Sequence, residues 1–116
     1  MKFKAIVALV TDDKTELVCD VGRRGGATGL TVLANARGEG LRPAKTFFGL
    51  DLKSNRDLVL FIVEEHLSRM ILETIAQEAR FDEEIGTGIA FQLDIEDVVG
   101  LTSQLATIQE EIEDQI

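Results

Sequence analysis

The 116-residue chain has no tryptophan and no tyrosine, one cysteine, one proline and one histidine. Its six Phe are scattered among aliphatic residues and no basic stripe accompanies them, so it offers no platform for stacking bases, and nucleic acid is not an expected partner. Cys19 cannot close an internal disulfide, and its place beside Leu17 and Val18 reads as a small core residue. His66 stands without HxxxH, HxH or CxxC spacing, so no zinc site is spelled out. There is no nucleophile elbow and no P-loop, which makes an enzyme the minority reading. The longest apolar runs, such as residues 58–63, fall well short of a membrane span. The first ten residues lack a cleavable signal, so a cytoplasmic location is expected.

Positive charge is missing from one part of the chain. Residues 1–80 carry 12 basic and 11 acidic side chains, whereas residues 81–116 carry 10 acidic side chains and no Lys or Arg. An acidic appendage therefore follows a nearly neutral body. At this length, with 45% apolar residues, one domain with its own core is expected, set at residues 1–101, with residues 102–116 as an acidic tail.

Two segments carry the fold. Thr28-Gly29-Leu30-Thr31-Val32-Leu33 and Thr87-Gly88-Ile89-Ala90-Phe91-Gln92-Leu93 each place Thr-Gly before a strand-like run, and each follows an apolar strand and a helix-length stretch. Two βαβ halves of this kind predict a ferredoxin-like α+β sandwich: a four-stranded antiparallel sheet with two helices on one face. The first strand spans residues 2–10 and, being apolar on both faces, belongs mid-sheet. Thr11-Asp12-Asp13 offers N-cap oxygens for a first helix that ends at Gly22 or shortly after, before a left-handed cap within Arg23-Arg24-Gly25-Gly26. A second strand covers residues 29–36 and a third residues 56–63. Glu64-Glu65-His66 then opens a helix whose stripe of Leu67, Met70, Ile71, Thr74, Ile75 and Ala79 faces the sheet. The fourth strand runs from Gly88 to about Ile95. In the tail, Leu101, Leu105, Ile108 and Ile112 are spaced for a short amphipathic helix.

Residues 37–56 form the one long segment without periodicity, and long loops of this kind ordinarily contact something. Arg42, Lys45, Phe47 and Phe48 are its candidate contact residues. The alternative is a β-ribbon whose Phe side chains pack on a neighbouring subunit. Gly29, Gly38, Gly40, Gly86 and Gly88 lack Cβ atoms and would let an anion or nucleotide approach backbone N–H groups, unless they serve only as turns.

In order along residues 3–103, Thr28-Gly29-Leu30-Thr31-Val32, Gly38-x-Gly40, the long loop, Leu72-Glu73-Thr74-Ile75 and Ile85-Gly86-Thr87-Gly88 with Phe91 and Asp94 resemble the PII nitrogen-regulatory signal-transduction proteins. The resemblance implies a homotrimer of ferredoxin-like subunits that binds ATP or ADP in lateral clefts. It also implies a long loop that docks onto an enzyme or membrane transporter. Carried over, Ile6, Gly38, Gly40, Ile62, Gly86, Thr87 and Gly88 would build one side of a cleft, and Gly29, Leu30 and Thr31 of the neighbour the other. Both faces of the sheet are apolar while two helices cover one, which agrees with assembly through the other face.

The departures from the family bear on the ligand. Ile89 stands where the family carries a phosphate-binding Lys, and Gly100 and Thr102 where it carries two Arg. Leu41-Arg42-Pro43 replaces an Arg-Gln pair in the loop, and the loop has no Tyr. Arg37, Arg42 and Lys45 near the cleft mouth would replace part of the lost charge and favour a nucleotide mono- or diphosphate, so AMP and ADP join ATP as candidate adenine nucleotides, with another small anionic effector left open. Two further readings stay open: a trimer resembling the divalent-cation tolerance proteins, with His66 and Glu65 as metal ligands, and an enzyme using Asp94 or His66 as a base.

Overall fold

The computed structural model describes residues 1–36, the backbone of residues 46–47 and 50–51, and residues 56–101. A nine-residue strand β1 (Phe3–Thr11) leads through a turn into helix α1 (Thr15–Arg24) and strand β2 (Gly29–Ala36). Two-residue strands β3 (Thr46–Phe47) and β4 (Leu50–Asp51) pair as a small antiparallel ribbon. Strand β5 (Arg56–Glu64), helix α2 (Glu65–Ala79) and strand β6 (Gly88–Asp94) complete the chain order. The main sheet has the order β2-β5-β1-β6 and is antiparallel throughout, with two helices, as the paired βαβ pattern predicts. β1 and β5, the strands apolar on both faces, occupy its middle.

Register decides which side chains meet the helices. Ile6 lies opposite Phe61 on β5 and Gln92 on β6, Ala8 opposite Val59 and Ala90, and Val10 opposite Asp57 and Gly88. Ile6, Ala8, Val10, Val59, Phe61 and Val63 are fully buried with Val18, Cys19 and Val21 of α1 and Leu67, Ile71, Ile75 and Ala79 of α2. Cys19 is thus the small core residue expected of it, and burial first of all pushes its thiol pKa up. The opposite face carries Val7, Leu9, Leu58, Leu60, Ile62, Leu33, Ile89, Phe91 and Leu93 by strand alternation. Within the subunit this face is open: Leu33, Leu93 and Phe91 are 58%, 53% and 42% exposed.

Helix ends differ from the sequence reading in two places. Thr11 does not cap α1 because β1 extends to it, paired with Arg56, and the turn closes with the Lys14 N–H donating to the Thr11 carbonyl at 2.9 Å. Lys14 takes the cap position and makes no side-chain cap bond. At α2 the strand continues to Glu64, whose carboxylate accepts from the His66 N–H at 2.8 Å and also meets His66 Nδ1. In the α2 stripe, Met70 is half exposed, and Ser68 is buried instead, its hydroxyl donating to the Glu65 carbonyl at 3.1 Å. The left-handed residue after α1 is Gly26, with φ of 90°. In the segment expected to lack periodicity, residues 46–47 and 50–51 pair as the short β3–β4 ribbon. Phe48, the packing of Phe47 and the tail at residues 102–116 lie outside the described residues.

Gly22 lies within α1, and a Cβ there would sit well inside van der Waals contact of the Phe61 ring. Its glycine therefore sets how closely α1 approaches the sheet. Gly22→Ala is expected to lower stability by about 1–3 kcal/mol through overpacking, outweighing the ~1 kcal/mol that alanine gains in helix propensity. Urea denaturation midpoints measure the difference, and a more stable variant would contradict this packing account.

Candidate ligand site

The two Thr-Gly segments begin their strands as the sequence implies, but at opposite ends and opposite edges of the sheet. Gly88 opens edge strand β6 beside Val10, at the end where β1 finishes, whereas Gly29 opens edge strand β2 beside Ile62, near where β5 finishes. Three inter-strand spacings and about five residues of strand rise separate them, about 20 Å in all. One subunit therefore cannot bring both to one small ligand. Ile62 falls on the Gly29 side, as the direct partner of Gly29, rather than beside residues 86–88. The Ile6 side chain is fully buried against the helices and packs the core, which leaves only its backbone for the cleft role expected of it. The outward-facing neighbours of Gly88 are instead Leu9 and Ile89, a paired set that alternation along β1 and β6 would have revealed.

The Gly86 end is built from a row of short contacts. The Thr87 carbonyl accepts from the Thr11 N–H at 2.9 Å, Thr11 pairs with Arg56, and Arg56 pairs with Ala36 at the end of β2. Ala36, the last residue before the 37–55 segment, thus lies at the same end of the strands as the turn at 86–88, on the opposite edge of the sheet. Gly38, Gly40, Arg42 and Lys45 belong to that segment and lie outside the described residues. Gly86 has φ of 80°, a left-handed conformation that favours glycine. The Thr87 hydroxyl donates to the Glu84 carbonyl at 2.6 Å, and the Glu84 N–H to the Arg80 carbonyl at 2.9 Å. Arg80, at φ 57°, ends α2. At β2, Thr28 donates both its N–H and its hydroxyl to the Ile62 carbonyl, each at 2.9 Å, which fixes the entry to Gly29.

The two glycines have different reasons to be glycine. A Cβ on Gly88 would collide with the Phe81 ring, which lies over it, so its bareness is required by packing within the subunit. A Cβ on Gly29 would meet Ile62 at an ordinary 3.7 Å, and Gly29 has no left-handed φ, so nothing within the subunit requires a glycine there. The hollow flanking Gly88, bounded by Phe81, Leu72 and Ile89, is about 170 Å³. Ligand sites ordinarily span roughly 300–1,000 Å³, so this hollow by itself is too small for a nucleotide. A larger hollow of about 680 Å³ lies at the other end of the strands, between Lys2, Glu65 and Glu96. The Lys4–Asp94 ion pair, 3.3 Å across, forms part of its wall.

Comparison with known proteins turns on the whole chain. The profile described as Nitrogen regulatory protein P-II matches residues 3–104. The chain belongs to the P-II family. No protein of curated function matches it. Among solved structures, CPII from Thiomonas intermedia K12 bound to ADP, AMP and acetate superposes with a TM-score of 0.68 at 21% identity, over 86% of this chain and 91% of that one. The apo form of CPII, a nitrogen regulatory PII-like protein, gives 0.62 at 21% over 82% and 90%. A PII-like signalling protein of Thermus thermophilus gives 0.59 at 24% over 82% and 88%. These likenesses establish the P-II fold for this chain.

Within that fold the metal reading is not favoured. Glu64, Glu65 and His66 do bring ligand atoms within 4.8 Å of one another. Glu64, however, is 4% exposed with both oxygens turned on His66, the arrangement of a helix cap. Asp94 is exposed and paired with Lys4, without the desolvated setting that equips a carboxylate as a base.

The contrast between the glycines is testable without any ligand. Gly88→Ala is expected to cost about 1–3 kcal/mol because the Phe81 ring must move. Gly29→Ala is expected to change stability by less than about 0.5 kcal/mol. Thermal unfolding of the two variants side by side measures this, and equal losses would remove the distinction.

Proposed function

We propose that this chain is a P-II-type regulatory protein that assembles as a homotrimer and binds an adenine nucleotide between copies. Residues 86–88 of one copy and Gly29, Leu30 and Thr31 of the next, with Ile62 beside them, would form each cleft. The observation that carries this reading is the separation of the two segments on opposite sheet edges: an assembly that sets one edge against the next copy's other edge, offset along the strands so that the two strand starts meet, would join them. The open apolar face supports the same assembly, since two helices leave it uncovered. The spare glycine at Gly29 fits a ligand, rather than a side chain, taking the space above it.

Adenine nucleotides are the favoured ligands because CPII, of the same fold, is seen with ADP and AMP. This chain places Ile89, Gly100 and Thr102 where the family carries cations, and each charge-assisted phosphate contact would be worth about 1.5–3 kcal/mol. The site is therefore read as one for AMP or ADP rather than ATP. Residues 37–55, rooted at the same end as residues 86–88, would carry the bound state to an enzyme or membrane transporter, with Arg42, Lys45, Phe47 and Phe48 as contacts. No helix among the described residues is long and apolar enough to cross a membrane. The reading is of a signalling protein, without a catalytic role.

Sedimentation at micromolar concentration is expected to give three times the 12.7 kDa subunit mass, and a single-subunit mass would end the cleft model. In calorimetry AMP and ADP are expected to bind at least as tightly as ATP, and Gly29→Ala to weaken both. A strong ATP preference would contradict the reading of Ile89, Gly100 and Thr102.

A further inference from the structure

The turn that carries residues 86–88 has little apolar cover. Asp82, Glu83 and Glu84 are exposed, and Ile85 is 88% exposed, so its shape rests on polar contacts. Within it these are the Glu84–Arg80 and Thr87–Glu84 bonds described above. From outside, Lys14 reaches it. This lysine is 8% exposed, and its ammonium donates both to the Ala79 carbonyl at the end of α2 and to Glu84 Oε2 at 2.7 Å. The ion pair joins a nearly buried side chain to a half-exposed one.

A buried ammonium is costly unless it is well partnered. Capping the α2 carbonyl explains one of its two bonds. The second goes to the residue two before Gly86, and it holds the Glu84 carboxyl below its ordinary range, chiefly by the hydrogen bond from Lys14. Arg80 and Asp13 are the other charges that act on this carboxylate.

We propose that Lys14, through Glu84, is a positioning residue for the ligand turn: it fixes residues 84–88 against the end of α2 so that the 86–88 backbone is already shaped for a nucleotide. This rests on the reading of residues 86–88 as one wall of the cleft. Charge alone makes the opposite forecast for Glu84. A carboxylate two residues from Gly86 lies within the screening length of a bound phosphate, so its removal should tighten anion binding if it acts only through its charge.

The experiment compares the unmodified protein, Glu84→Ala, Lys14→Met and the double variant. AMP is the calorimetric probe, and amide hydrogen exchange at Gly86 and Thr87 is read in the free protein. Glu84→Ala is expected to bind AMP roughly three- to tenfold more weakly, the scale of one net hydrogen bond, with faster exchange at both amides. The double variant is expected to bind no worse than Lys14→Met, since both changes break one tie. Lys14→Met also removes the α2 cap. Should it not fold, Glu84→Ala carries the test alone, because Glu84 is exposed and the Lys14–Ala79 bond survives its loss. AMP affinity equal to or above that of the unmodified protein, or unchanged exchange, overturns the proposal. If the unmodified protein binds neither AMP nor ADP, the cleft reading fails by itself, and exchange in Glu84→Ala alone decides: faster exchange upholds the positioning of the turn and unchanged exchange overturns it.

Discussion

The sheet has two apolar faces and the chain supplies helices for one. That constraint shapes the rest of the molecule. Covering the helix face uses the even-numbered side of β1 and its partners on β5 and β6, and leaves Val7, Leu9, Leu58, Leu60, Phe91 and Leu93 on the other. Open apolar faces of this kind are commonly where proteins meet a partner. The same strand alternation that builds the core therefore also leaves this second apolar face uncovered within the subunit.

Strand order then divides the candidate site. Because β1 and β5 must sit mid-sheet, β2 and β6 become the edges, and the two Thr-Gly segments that open them point to different neighbours. In the proposed trimer, a site made of halves from two copies would follow from this strand order before any side chain is considered. Such a site would also account for the small hollow at Gly88 and for a Gly29 that carries no packing requirement from its own subunit.

Much of this was legible in the sequence. Periodicity located β1, β5 and the two helices, and the Thr-Gly repeat marked the starts of β2 and β6. What escaped was information held in register. Ile6 looked like a cleft residue by its place in a family pattern, yet one-residue alternation turns it into the core and turns Leu9 outward. Gly88 looked like a ligand-facing glycine, and only the position of the Phe81 ring across the turn shows its packing role. Thr11 looked like a cap because Thr, Asp and Asp precede the helix. The sheet claimed it first: its N–H donates to the Thr87 carbonyl and its carbonyl accepts from the Lys14 N–H, so its backbone is satisfied as the end of β1.

The start of α1 shows the same competition resolved in favour of the whole. A helix without a side-chain cap ordinarily forgoes about 1 kcal/mol. Here the two residues at that position send their side chains away from the helix: Lys14 to Ala79 and Glu84, and Thr15 to Asp57 at 2.6 Å. The other Asp57 oxygen accepts from the N–H of Asn35, which stands at φ 61° in the bulge of β2. One helix start thus braces the turn before residues 86–88 on one side and the strand end that leads into residues 37–55 on the other. A local rule is broken where the side chains at one helix start tie down two separate segments, both assigned functional roles in the proposed reading, and departures of that kind are expected where function outweighs local stability.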